Sequence, residues 1–144
     1  MVRTVAGIHE QGWAHLDIRL KNIVFNTTNS WWTLIDSEYA QKHGSPITAD
    51  QLPRVAKEDP RYKRRSQSGV WPDGDGDLRL LDLFALGALV SGVSGVQGET
   101  QLFITDVGVV DQAKKLQDDS AAVRQAAMAA LLQSAGVYNF KEIL

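Results

Sequence analysis

The spacing of apolar positions changes several times along the chain, and each change predicts a different element. Val2, Val5 and Ile8 recur at helical spacing and Gly12 follows as a stop, which predicts a helix over residues 2–11. Two short β-prone runs, 23–25 and 31–35, flank a segment rich in turn formers. This arrangement predicts a β-hairpin after the first helix.

The middle of the chain has no persistent apolar period. Residues 36–77 hold all four prolines and seven of the fifteen Lys and Arg side chains, which predicts a long loop. Leu78 to Val90 then carries apolar residues around most of a helical circumference, which predicts a buried helix.

The last third of the chain predicts further helices. A glycine-rich break spans 92–98, and two helices are expected over 112–118 and 121–134. Their expected N-caps are Asp111 and Ser120, Gly136 is expected to close the second helix, and the amphipathic tail 137–144 is expected to dock on the core. The pattern as a whole predicts a mainly α (α+β) fold, a helical bundle with a small hairpin at one edge.

Composition narrows the classes of protein that remain. The chain has 144 residues, a net charge of −2 and 44% apolar residues, as expected of one globular domain. It has no cysteine, so disulfides and thiolate metal sites are excluded. No secretory segment and no membrane-length apolar run is visible, which predicts an intracellular, cytoplasmic protein without a membrane partner. The basic residues at 61–65 are interpreted as a solvated loop, so no nucleic-acid partner is predicted.

One short window carries a recognisable set of chemical groups. His15-Leu16-Asp17 is followed by Asn22, and Ile35-Asp36 lies at the end of an apolar strand. Phosphoryl transfer needs a carboxylate to orient the attacking hydroxyl, and an amide and a second carboxylate to hold the metal ion on the nucleotide phosphates. The window therefore indicates a candidate phosphoryl-transfer site.

This window resembles the catalytic loop and metal-binding turn of the eukaryotic protein-kinase-like family. The resemblance implies ATP and Mg²⁺ as cofactors and a protein hydroxyl as the acceptor. It assigns Asp17 as the catalytic carboxylate and Arg19 as the basic residue at the transferred phosphate. Asn22 and Asp36 are the implied Mg²⁺ ligands, Val24 the implied floor of the adenine site, and His15 a structural residue of the loop.

A second segment, 82–87, resembles the central buried helix of the large kinase lobe. In the family its Asp hydrogen-bonds the backbone of the catalytic loop. A carboxylate in so apolar a helix is costly unless it has partners, so this role gives Asp82 a physical reason to be there. The resemblance implies one large-lobe domain over 1–144, divided into the helix, catalytic loop and hairpin (1–35), an activation-segment-like loop (36–77) and a helical subdomain (78–144).

The chain also departs from the family pattern. Leu16 stands where protein kinases usually have Arg, and Ser37 and Glu38 follow Asp36 in place of Phe and Gly. Arg124 has no obvious partner, and Asp73 is one candidate. Because residue 1 already lies in the first helix, the expected protein is a large lobe without the ATP-binding small lobe. An apolar face should then stand open, to be covered by a small lobe or by another chain.

Two alternatives remain open. The first is an inactive pseudokinase fragment that acts as a binding module, and the second is a small-molecule kinase of the aminoglycoside or choline type. Ile35-Asp36-Ser37-Glu38 fits the second class rather well, whereas the segment 82–87 favours the protein-kinase branch.

Overall fold

The computed structural model describes residues 1–28, 31–45, 52–74, 76–91 and 106–137, and in them the chain is mainly helical. Four short strands form two separate two-stranded antiparallel sheets. The elements, in chain order, are α1 (Val2–Glu10), β1 (Trp13–Ala14), a 3₁₀ turn (Leu20–Asn22), β2 (Ile23–Asn26), β3 (Trp31–Leu34), β4 (Gln41–Lys42), α2 (Arg54–Glu58), α3 (Pro60–Ser68), a 3₁₀ turn (Pro72–Gly74), α4 (Arg79–Ser91), α5 (Val107–Lys115) and α6 (Ala121–Val137).

The first helix and the hairpin are confirmed. Gly12 follows α1 with φ 78°, a left-handed conformation that suits glycine and ends the helix. In the hairpin, β2 pairs with β3 in a register that runs from Ile23 opposite Leu34 to Asn26 opposite Trp31. The second sheet joins β1 to β4, which lies at the start of the segment expected to be a loop.

The central helix α4 is buried almost all round, as its sequence predicts. Its apolar side chains meet those of α1, α5 and α6 in the larger of two cores. Gly87 lets α5 approach closely, because a Cβ atom there would lie 2.5 Å from the Ala113 carbonyl oxygen. No helix in the described part of the chain is long and apolar enough to cross a membrane.

A smaller core lies on the other side of the loop that follows β1. Leu16 belongs to this smaller core, with Leu52, Tyr62 and Leu81. Ile18, two residues later, belongs to the larger core. The loop is therefore fastened by buried side chains on both sides of Asp17, and Leu16 has an apolar role that a charged residue could not fill.

The prediction of one long loop over 36–77 is wrong in its second half, which contains α2 and α3. Helix α3 starts at Pro60, a favoured first position, and the Asp59 carboxylate accepts the backbone N–H of Arg61 at 2.8 Å. The spacing of apolar residues does not reveal this helix, because its buried face includes a charged residue, Arg61, instead of a run of apolar ones. The basic side chains of 61–65 are thus not a solvated loop.

The last two helices are present, but their boundaries differ from the prediction: α6 runs to Val137, so Gly136 does not close it. Helix α5 begins at Val107 and is capped by Asp106, which accepts from the Val109 backbone N–H at 3.1 Å; the prediction of a start at 112 with Asp111 as cap is wrong. Ser120 does cap α6, whose Val123 backbone N–H lies 3.5 Å from the serine hydroxyl. The expected glycine-rich break at 92–98 and the tail after Val137 lie outside the described residues.

A buried ion pair ties α6 to the start of α3. The Arg124 guanidinium donates to both carboxylate oxygens of Asp59, at 2.6 and 2.9 Å, and to the Leu80 carbonyl at 2.8 Å. Both side chains of the pair are inaccessible to solvent. The suggestion of Asp73 as the partner of Arg124 is wrong, because Asp73 lies at the surface and pairs with Arg61.

Candidate active site

Asp82, in the first turn of α4, holds the loop that carries the candidate catalytic residues. One of its carboxylate oxygens accepts the backbone N–H of Leu16 at 2.7 Å, and the other accepts that of His15, also at 2.7 Å. The side chain is fully buried. These bonds offset the cost of removing a carboxylate from water, and they fix the backbone just before Asp17.

His9 is a third partner of Asp82 that the sequence analysis missed. Its Nε2 atom lies 2.9 Å from the Asp82 carboxylate, across the end of α1. One signal was present in the sequence: His9 falls in the last turn of the predicted helix, beside the loop that follows. The polar cluster therefore joins α1, the loop and α4.

The backbone at Leu16 adopts a left-handed conformation, with φ 68°. A non-glycine residue in this region costs about 1–2 kcal/mol, so the surrounding structure must hold it there. The bond from its N–H to Asp82 and the burial of its side chain do so. Strain of this kind is typical of positions where a functional loop is fixed in one shape.

Asp17, Asn22 and Arg19 form one bonded cluster. The Asn22 Nδ2 atom donates to the Asp17 carboxylate at 2.7 Å and to its backbone carbonyl at 3.0 Å. The Arg19 guanidinium lies 3.0 Å from the same carboxylate oxygen, Oδ2. Within the part of the chain that is described, nothing bonds to the other oxygen, Oδ1. Oδ1 is therefore the unbonded oxygen of a carboxylate that is itself almost completely buried, with 1% of the side chain exposed.

His15 supports Asp17 from within the loop. The buried ring accepts the backbone N–H of Asp17 at its Nδ1 atom, 3.3 Å away. A ring that accepts at Nδ1 carries its proton at Nε2 when neutral, and Nε2 is buried without a hydrogen-bond partner in the described chain.

Asp36 is placed beside this cluster by the hairpin but does not touch it. The Ile35 backbone N–H donates to the Asn22 carbonyl at 2.8 Å, which fastens the end of β3 to the loop. Asp36 has φ 63°, the second left-handed residue of the site, and its side chain is exposed. Within the described residues no hydrogen bond or ion pair joins its carboxylate to Asp17 or Asn22.

Val24, the residue expected under an adenine ring, lies on β2 opposite Thr33 and is 45% exposed. Other large apolar side chains near it are also open to solvent. Phe25 and Trp32 face each other across the hairpin with ring centroids 4.9 Å apart, and both are exposed. Because Val24 and Phe25 are consecutive in β2, their side chains point to opposite faces, and the hairpin exposes apolar side chains on both.

The side-chain oxygen atoms near the loop meet only some of the requirements of an Mg²⁺ site. The described residues hold no group of three or more His, Cys, Asp or Glu side chains placed to bind a metal. Magnesium, however, is commonly held by one or two carboxylates together with substrate phosphates. The Asn22 amide nitrogen donates to Asp17, so the Asn22 Oδ1 atom remains available as a ligand. That oxygen and the Asp36 carboxylate could bind Mg²⁺ together with substrate phosphates.

A charged cluster fixes the start of α4, and with it Asp82. The Asp77 carboxylate accepts from the Arg79 guanidinium at 2.8 and 2.9 Å and from the Arg79 backbone N–H at 3.0 Å; His43 Nδ1 lies 3.2 Å away. Burial by itself raises the pKa of Asp77, but the hydrogen bonds and charge of Arg79, with a contribution from His43, outweigh it and lower that pKa below its usual value.

Comparisons of the chain with protein-family models, with curated proteins and with solved structures found no match. The class of protein must therefore be argued from the residues of the site and their geometry.

Proposed function

We propose that the chain is the large lobe of a protein-kinase-like phosphotransferase, which transfers a phosphoryl group from ATP to a hydroxyl of a protein substrate. The observation that supports it most directly is the cluster at Asp82. A buried carboxylate from a distant helix accepts two consecutive backbone N–H groups immediately before Asp17. A loop held this firmly, with a carboxylate, an amide and a guanidinium bonded together, suits a reaction in which catalysis is mostly positioning.

Three side chains of the loop have distinct roles in this proposal. Asp17 Oδ1 accepts a hydrogen bond from the substrate hydroxyl and orients it for attack. Asn22 holds the Asp17 carboxylate through Nδ2, which leaves its own Oδ1 as a donor to a metal ion. Arg19, on the same carboxylate, supplies positive charge next to the developing charge of the phosphoryl group.

ATP and Mg²⁺ are the proposed cofactors. When bound, Mg²⁺ neutralises and orients the nucleotide phosphates. In this chain Asn22 and Asp36 would hold it. The left-handed conformation of Asp36 and the bond from Ile35 to Asn22 keep these two residues on adjacent segments.

A small β-rich lobe is the proposed partner of the hairpin. Phosphate positioning in the kinase family needs a glycine-rich loop and a strand Lys. In the proposal these come from chain outside the 144 residues or from another protein. The exposed side chains of Phe25 and Trp32, which pair on one face of the hairpin, provide the apolar surface on which such a lobe would rest.

The direct test is Mg²⁺-dependent phosphate release or transfer from ATP, measured for the chain together with the small lobe that the proposal requires, and for the same protein carrying Asp17→Asn. We expect the substitution to lower the rate by about 100-fold or more, because a positioned carboxylate contributes on that order. A mixture of Ser, Thr and Tyr peptides serves as acceptor, and an amino-alcohol acceptor is assayed in parallel. Transfer to the amino-alcohol but to no peptide would favour the small-molecule class instead.

The matched control is Asp111→Asn, which removes a surface carboxylate on α5 that only approaches Lys114 at 3.8 Å. It should leave both the rate and the melting temperature unchanged. An Asp17→Asn protein that folds normally and keeps the parent rate would remove Asp17 from the mechanism.

A second candidate is a pseudokinase that binds a partner without catalysis. The specific observation in its favour is the Asp36 carboxylate, which is exposed and, in the described residues, makes no hydrogen bond or ion pair with Asn22 or Asp17. Calorimetric titration with ATP and Mg²⁺ of the chain together with the small lobe separates the two candidates. Micromolar binding that weakens in Asp36→Asn supports the phosphotransferase, and the absence of binding supports the pseudokinase.

A further inference from the structure

Basic residues are concentrated at the end of one short helix. Residues 54–68 hold six Lys and Arg side chains against two acidic ones, although the whole chain has a net charge of −2. Lys63, Arg64 and Arg65 are consecutive in α3, and the helix ends three residues later at Ser68. The proposed phosphotransferase site uses none of these side chains.

The last turn of α3 is fastened by few contacts. Residues 66–70 are all exposed, so none of these five side chains packs into a core. Gly69 ends the helix with φ 73°, and its backbone N–H donates to the Arg65 carbonyl at 2.8 Å. Helix ends without buried side chains open at a low cost in free energy. The end of α3 can therefore extend into the cleft of another protein while Arg61 and Tyr62 stay buried.

Ser68 lies on the side of the helix that carries two guanidinium groups. It follows Arg65 by three residues and Arg64 by four, the two spacings that place side chains next to each other on a helix. At the same spacings before Ser66 stand a buried aromatic residue and Lys63, which already has an acidic partner at 2.7 Å. A new negative charge therefore finds more positive charge beside Ser68 than beside Ser66.

Arg65 is held in place but keeps its charge unpaired. Its guanidinium makes no hydrogen bond or ion pair within the described residues. The guanidinium carbon lies 5.9 Å from the centroid of the Trp71 ring, which packs in turn against the smaller core and lies 6.5 Å from the ring of Tyr62. A guanidinium stacked on a fixed ring loses little freedom when it binds a phosphate.

Arg64 is the second cation beside Ser68. It donates to the Asp119 carboxylate at 2.8 Å, but the two side chains are 43% and 60% exposed. A pair this open to solvent contributes little to stability, so a stronger anion can replace its acceptor. A phosphate on serine carries nearly two negative charges at neutral pH, against one for Asp119, and therefore competes for Arg64.

We propose that Ser68 is a phosphorylation site, and that Arg65 and Arg64 bind the phosphate once it is attached. The donor is ATP, and the enzyme is a separate serine kinase whose acidic cleft is complementary to residues 63–65. In the transfer, Ser68 Oγ forms a bond to the γ-phosphorus as the bond between that phosphorus and ADP breaks. The hydroxyl proton passes to a base of that kinase.

The phosphate changes how α3 is joined to the rest of the fold. The Ser68 hydroxyl donates to the Arg64 carbonyl at 2.9 Å, a local bond that phosphorylation removes. Arg64 turns from Asp119 to the phosphate, which releases one link between α3 and the turn before α6. Modification by a separate kinase requires neither Asp17 nor any activity of this chain, so it is independent of the proposed function.

The first test is phosphorylation of the intact folded chain with ATP and Mg²⁺. The added enzyme is the catalytic subunit of cyclic-AMP-dependent protein kinase or calmodulin-dependent protein kinase II, both of which prefer basic substrates. We expect one phosphate, assigned to Ser68 by mass spectrometry of the digested protein, and none when the added kinase is left out. Arg65→Gln should slow the reaction by about ten-fold, because it removes a charge from the recognised segment. The matched control is Ser66→Ala, for which a rate within about two-fold of the parent is expected.

The second test measures how the folded protein holds the phosphate. Phosphoserine is placed at position 68 during synthesis, and its second pKa, ordinarily about 6, is followed by phosphorus NMR. Arg65→Gln and Arg64→Gln should each raise that pKa by about 0.3 or more, because a nearby cation favours the doubly charged form. Lys115→Gln, at an exposed cation of α5, is the matched control and should leave the pKa unchanged.

Two sets of results would overturn the proposal. Phosphate on Ser66 alone, or none on the folded chain, would show that Ser68 is not the site. A phosphate pKa that responds to neither Arg65→Gln nor Arg64→Gln would show that these side chains do not bind the attached group.

Discussion

At the scale of single residues, Asp82 does the most to define the site. Its two carboxylate oxygens receive the backbone N–H groups of His15 and Leu16, and His9 completes the set. The left-handed backbone at Leu16 directs its N–H into this arrangement. A neutral side chain of the same shape cannot serve all three partners, because an amide has only one acceptor oxygen.

Replacing Asp82 by Asn should lower the free energy of unfolding by about 3 kcal/mol, since at least one buried N–H loses its acceptor and meets an NH₂ group instead. Urea unfolding followed by circular dichroism measures the loss. The surface control Asp111→Asn should change the value by less than about 0.5 kcal/mol. A loss at Asp82 no larger than that of the control would show that the carboxylate does not hold the loop.

At the scale of elements, charged side chains join α3 to α4 and α6. Arg124 on α6 binds Asp59, which in turn caps α3, and it also bonds the Leu80 carbonyl at the start of α4. Arg61 on α3 donates to the Asp119 carbonyl, just before α6. The short helix α3 is therefore held to α4 and α6 by guanidinium groups with several acceptors each.

Arg124→Lys should lower the free energy of unfolding by about 3 kcal/mol. An ammonium group keeps the charge but cannot bind both oxygens of Asp59 and the Leu80 carbonyl together, so buried acceptors lose their donors. The matched control is Arg64→Lys, at a surface pair with Asp119, where a change below about 0.5 kcal/mol is expected. Equal effects of the two substitutions in chemical denaturation would contradict the role given to Arg124.

At the scale of the whole molecule, one cluster links the β1–β4 sheet to the central helix. His43 follows β4, and its ring reaches Asp77 at the start of α4. Burial raises the pKa of Asp77, but the hydrogen bonds and charge of Arg79 lower it by more, so the pKa in the folded protein lies below its usual value. A carboxyl group of this kind stabilises the fold at pH values above its unfolded pKa, about 3.9, and the contribution is lost as the pH falls through the folded pKa.

Asp77→Asn should therefore destabilise the protein at pH 7 by about 1 kcal/mol, the typical cost of losing a carboxylate at the start of a helix. The difference from the parent should shrink as the pH falls below about 4, because the parent carboxyl is then protonated as well. Urea unfolding between pH 7 and pH 3 measures it. A difference that stays constant over this range would show that ionised Asp77 adds no stability.

The sequence predicted those parts of the fold that depend on local periodicity. Helix α1, the hairpin and α4 each carry enough apolar residues at regular spacing to be recognised. Helix α3 was missed because its buried face depends on Arg61, whose partners Asp73 and Asp119 lie far along the chain. No local pattern indicates that a charged residue will find such distant partners.

The candidate site likewise combines contacts that the sequence predicts with contacts that only the fold shows. Asp17 and Asn22 are five residues apart in one loop, and the structure bonds them directly. The contact of His9 with Asp82 joins positions that lie 73 residues apart, and only the folded chain shows it. Nothing in the sequence indicates that the Asp36 side chain is exposed, because its exposure follows from the backbone conformation at the end of β3.

The bonds at Asp82 also set the order in which the loop can form. Each joins positions separated by 66 to 73 residues, so the loop leaves the ribosome long before its anchor is synthesised. Closing a segment of that length carries an entropy cost that only docking of α4 can offset. The segment around Asp17 therefore cannot take its bonded shape before α4 has docked.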